Sequence, residues 1–165
     1  MRSIKLTAVL LLVATATPAA SHDIVRRANS GFPIANSVTV PTGADIVYLS
    51  GMLADAADTS APAGSIERFG DTAAQTKSVL GKIARELEAV GLTMADVVKM
   101  NVFLVGDPSK GGGMDFEGLM HGYLQHFGTA TQKNVPARTT VQVAGLPVPG
   151  ALVEIEVIAA RAAPH

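Results

Sequence analysis

The spacing of apolar positions changes along the chain, and each change marks an element. Ser37 to Val40 and Ile46 to Ser50 are short β-branched runs separated by Pro41, Thr42, Gly43 and Ala44, a hairpin signal with a loop of about four or five residues. Asp55 to Gly64 is rich in Ala, Asp, Ser, Thr and Pro and reads as a surface loop. Phe69, Ala73, Thr76, Leu80, Ile83, Leu87 and Val90 then step by four and three, one stripe of an amphipathic helix. Gly91 stands where a left-handed C-terminal cap is wanted. Asp96 to Val105 is apolar on both faces and predicts a central strand. Phe116, Leu119, Met120, Tyr123, Leu124 and Phe127 form a second helical stripe. Arg138 to Val143 and Leu152 to Ala160 are two further strands with a Gly- and Pro-containing turn between them. His22 to Gly31 is a polar lead-in with little structure of its own.

The order strand, strand, helix, strand, helix, strand, strand predicts an α+β domain: a mixed sheet with two long helices on one face. The other face then needs a cover, and a partner subunit supplies it most simply.

Composition narrows the class. The chain has 165 residues, a formal net charge of -1 and no cysteine. One domain suffices for that length. Without a basic block the footprint of a nucleic-acid binder is missing, and without cysteine there is no thiol nucleophile. Arg2 and Lys5, the apolar run from Leu6 to Ala16 and the small residues before Ser21 have the three parts of a signal peptide. The run is about 11 residues, against about 20 needed to span a bilayer. Residues 1–21 are therefore expected to be removed, leaving 22–165 as one periplasmic or secreted domain with no membrane span.

Several chemistries drop out. His121 and His126 are five apart, so they do not share a helical face as metal ligands would. Gly111 to Gly113 follow Lys110 instead of preceding a lysine, the reverse of a phosphate loop. Ser50-Gly51, taken alone, is a turn. The last two strands keep more interest. Alternation puts Arg138, Thr140 and Gln142 on one face, and Glu154 and Glu156 on one face of the final strand. If these strands pair through the turn near Pro147 to Gly150, one polar face carries Arg138, Thr140 and a glutamate. That face is either a solvated ion pair or an anion site in which a guanidinium grips a carboxylate with two parallel hydrogen bonds.

IVYLSG at 46–51, AVGLTMADVVKMNVFLVGD at 89–107, PARTTVQVAGLP at 136–147 and VEIEVIA at 153–159 resemble the RidA/YjgF family of enamine/imine deaminases, a resemblance that runs from about Gly31 to Arg161. The resemblance implies a chorismate-mutase-like fold and a homotrimer whose sheets form a central barrel, with active sites in the clefts between subunits. It implies a 2-iminobutanoate/2-iminopropanoate deaminase activity, hydrolysing reactive enamine/imine intermediates to 2-oxo acids and ammonia, with no cofactor and no metal. Arg138 matches the arginine that binds the substrate carboxylate and Glu154 the glutamate that positions water. Thr140 matches a small pocket residue, and Ser50-Gly51 a strand end lining the cleft. Two positions depart from the pattern: Ile34 stands where the family carries a pocket tyrosine, and Met120 where an asparagine is common. Both make the pocket more apolar, which implies an apolar substrate side chain and a lower efficiency. They also support an alternative, a non-enzymatic carboxylate-binding or holdase-type protein. A third reading, from family members described as ribonucleases or translation inhibitors, conflicts with the leader and the near-neutral charge.

Overall fold

The structure, a computed structural model, describes residues 22–163. The signal peptide expected over 1–21 lies outside the described residues. Helix α1, Thr72–Ala89, follows the predicted stripe: Thr76, Val79, Leu80, Ile83 and Leu87 are buried. The Asp71 carboxylate accepts from the Ala74 amide at its start. At its end Gly91 takes φ 73°, and Leu92 N donates to Leu87 O (2.8 Å) while Gly91 N donates to Glu88 O (3.0 Å). A side chain at Gly91 would strain that closure.

Six strands form one mixed sheet: β1 (Val25–Ala28), β2 (Ala35–Thr39), β3 (Asp45–Leu53), β4 (Val97–Val105), β5 (Ala137–Val143) and β6 (Val153–Arg161). Their order is β1-β2-β5-β4-β6-β3. As expected, β4 is central, with β5 parallel on one side and β6 antiparallel on the other. Its alternate residues Met100, Val102 and Leu104 are fully buried beneath the helices with Val153, Ile155 and Ala159 of β6.

Three sequence expectations are overturned. The runs before and after Pro41 are not a hairpin: β2 pairs with β1, and β3 pairs with β6 at the far edge. The supposed lead-in supplies β1, and Arg26 on it donates to Ala95 O at 2.9 Å. Finally, β5 and β6 do not pair, because β4 runs between them. A β-branched run marks a strand but does not name its neighbour.

The second helix, α2 (Phe116–Tyr123), is only 8 residues long. The apolar stripe continues to Phe127, but the chain leaves the helix at Leu124 and Phe127 is buried from a turn. α2 lies tight on α1: a Cβ at Gly122 would stand 2.7 Å from Thr76 Cβ and Cγ2.

The sheet face away from the helices is uncovered in one chain. Tyr48 is 75% exposed there, joined by Ile46, Val141, Phe103 and Ile158. No helix among the described residues is long and apolar enough to cross a membrane.

Candidate active site

Arg138 sits opposite Met100 in the parallel β4–β5 ladder, so its side chain enters the helix-covered side of the sheet. α2 closes over it. The guanidinium carbon lies 4.4 Å from the centroid of the Tyr123 ring, 5.4 Å from Phe32 and 5.7 Å from Phe116. Each ring presents its negative face to the cation. Burial pulls the Arg138 pKa below its usual value, with Tyr123 opposing. Burial pushes the Tyr123 phenol upward, and its hydroxyl donates to Pro33 O at 2.8 Å. Both terminal nitrogens of Arg138 point at the Met120 sulfur, 3.3 Å from each. A thioether is a weak acceptor, so the fork faces a group that neutralises none of its charge. Arg138 makes no ion pair among the described residues. Two residues along the same face, the buried hydroxyl of Thr140 has no hydrogen-bond partner.

Ile34 packs against the core. The ring beside Arg138 comes instead from Tyr123, together with Phe32 two positions before Ile34. The sequence places Phe116 and Tyr123 on the stripe of the second helix and gives Phe32 no role, and it assigns none of the three to a site. The chain holds five Phe and two Tyr, and three of these seven surround one arginine; the clustering exists only in space.

The second group of residues lies elsewhere. Glu154 pairs across β4 with Phe103, and Phe103 is an odd number of residues from Met100. Glu154 therefore points to the open face, opposite to Arg138. The expected single polar face bearing both is not formed. Beside Glu154, the β3–β6 ladder is irregular between Leu49 and Met52, the stretch that contains Ser50 and Gly51. A Cβ at Gly51 would run into the Glu154 carboxylate, so glycine there lets the carboxylate lie along the strand. No hydrogen bond or ion pair to the Glu154 carboxylate occurs among the described residues. Its neighbour Glu156 is engaged, accepting from Asn101 Nδ2 at 2.7 Å. Ser50, Tyr48, Lys99, Asn101 and Glu156 line a cleft of ≈ 270 Å³ on this face. The predicted residues thus fall into two groups: Arg138, Thr140 and Met120 on the helix side, and Ser50, Gly51 and Glu154 on the open side. Among the described residues no three His, Asp or Glu side chains are grouped to hold a metal ion.

Residues 33–161 match the family model described as endoribonuclease L-PSP. The chain is 40% identical over 91 residues to a RutC family protein of Haemophilus influenzae, covering 55% of this chain and 65% of that one. It is 33% identical over 127 residues to the 3-aminoacrylate deaminase RutC of Acinetobacter baylyi, covering 77% of this chain and 88% of that one. A crystal structure of a member of the YjgF/YER057c/UK114 family from Mycobacterium tuberculosis superposes with a TM-score of 0.51 at 26% identity, covering 83% and 98% of the two chains. The chain spans less than two thirds of the length of the first curated relatives it matches.

Proposed function

The chain belongs to the RidA/YjgF family, whose model is described as endoribonuclease L-PSP, and from that premise we propose that it hydrolyses 2-imino acids to 2-oxo acids and ammonia at a site shared by two copies of the chain. One observation carries the reading. Among the described residues, a guanidinium without a counter-charge lies on one side of the sheet and a carboxylate without a partner lies on the other. A half-buried cation left unpaired costs folding free energy, which a bound anion would offset. Within one chain the sheet separates Arg138 from Glu154, so the two act together only across a subunit boundary. The exposed apolar residues of the open face support such a contact, and we propose the homotrimer on this ground.

In this mechanism the substrate carboxylate displaces the Met120 sulfur and takes both terminal nitrogens of Arg138 in parallel hydrogen bonds. The Thr140 hydroxyl is free to donate to the same group. Glu154 from the neighbouring copy accepts a hydrogen bond from water and aims its oxygen at C2. The oxygen adds to the C=N carbon while one water proton passes to nitrogen, giving a carbinolamine; its hydroxyl proton then passes to the amino group, the C–N bond breaks and ammonia leaves the 2-oxo acid. Imines hydrolyse unaided, so orientation suffices as the source of acceleration. Met120 over the fork favours a second reading, carboxylate binding without turnover. We place the activity outside the cytoplasm, following the leader expected over 1–21.

The test couples the purified protein to an amino-acid oxidase and traps the imine with semicarbazide. Trapping should fall as protein is added; an unchanged trapping rate across several amino acids would sink the deaminase reading. Arg138→Lys should lower kcat/KM by about tenfold or more, because an ammonium lacks the planar fork. Full activity in that variant would remove the anchor.

A further inference from the structure

We infer that Phe32 and Phe116 make this site selective for 2-imino and 2-oxo acids with an aromatic or bulky apolar side chain over the smallest ones. The inference rests on Arg138 as the carboxylate anchor. Of the three rings around that guanidinium, Tyr123 is fully buried and forms the floor. The other two reach solvent: Phe116 is 38% exposed and Phe32 is half-buried. They stack on each other with centroids 5.9 Å apart and planes 19° from parallel.

A carboxylate chelated by Arg138 sits within about 3 Å of its nitrogens. The substituent two bonds further on would then begin beside these rings, because both centroids lie under 6 Å from the guanidinium carbon. Core packing does not require Phe116 at this place. It opens α2 next to the Asp115 cap, at the exposed end of the helix's apolar stripe and outside the buried core. A methyl group leaves these faces wet, whereas a phenyl or isobutyl group covers them. Met120 beside the fork adds an apolar thioether and no hydrogen-bond donor that would favour a polar side chain.

The experiment is calorimetry on the full chain with three non-reacting probes: pyruvate, 4-methyl-2-oxopentanoate and phenylpyruvate. Phenylpyruvate should bind about tenfold or more tightly than pyruvate, with the branched acid between. Phe116→Ala and Phe32→Ala should each shrink that ratio at least severalfold, with thermal unfolding recorded to show that the fold is kept. Equal affinities, a preference for pyruvate, or no binding would overturn the inference. So would a preference that survives both substitutions. Turnover is scored separately by imine trapping: binding preference without turnover rejects the deaminase reading and keeps this one, and turnover without preference does the reverse.

Discussion

Arg138 is held by contacts that respect its charge without satisfying it. Three rings face the cation, and a thioether caps the two nitrogens that a carboxylate would take. Any carboxylate ligand must first displace Met120. Met120→Ala should therefore tighten pyruvate binding by about threefold, the rough worth of one weak hydrogen bond, while lowering thermal stability through lost packing. Calorimetry and a melting curve check both halves; weaker binding would show that the sulfur helps the ligand. For the proposed site, motif resemblance singles out Arg138, Thr140, Ser50, Gly51 and Glu154 in the sequence. Their sides of the sheet are not legible, since alternation says which residues share a face and leaves open which strand stands between them. The aromatic surround is hidden for another reason: the helical spacing that joins Phe116 to Tyr123 reads as core packing, and nothing local joins either to Phe32.

At the scale of elements, α1 is legible in its stripe and its Gly91 cap because both signals are local, whereas its start at Asp71 is supplied by the structure. α2 is legible in kind and misjudged in length. Its position depends on Gly118 and Gly122, which bring it close enough to α1 for Thr72 and Thr76 to touch it. Gly122→Ala should cost about 1–3 kcal/mol by overpacking this crossing, measured by chemical denaturation, with a parallel loss of ligand affinity because α2 carries Phe116, Met120 and Tyr123. Unchanged stability would mean that the helices separate freely. The strand partners are the least legible part. β5 joins β4 in parallel after a crossover that includes α2, a long-range arrangement, whereas short-range reading favours a hairpin between β5 and β6.

For the whole molecule, the two proposed half-sites make a sharp prediction. Arg138→Ala and Glu154→Gln should each abolish most activity. Unfolding the two inactive proteins together and refolding them as a mixture should restore about a quarter of the wild-type sites, because random assembly pairs an intact arginine with an intact glutamate at that frequency. Imine trapping reads the recovery. No recovery would place both residues in a site made by one chain.

The placement of Arg138 and Glu154 on opposite faces of one sheet has a geometric consequence. A two-fold contact made through a single sheet face sets like against like, arginine side on arginine side or glutamate side on glutamate side, and completes nothing. Only a head-to-tail contact sets unlike faces together, and such a contact repeats until it closes on itself. An open pair of chains would then hold one finished site and two loose ends. A closed ring would hold as many sites as chains, so in the proposed arrangement ring closure and completion of every site would be the same event.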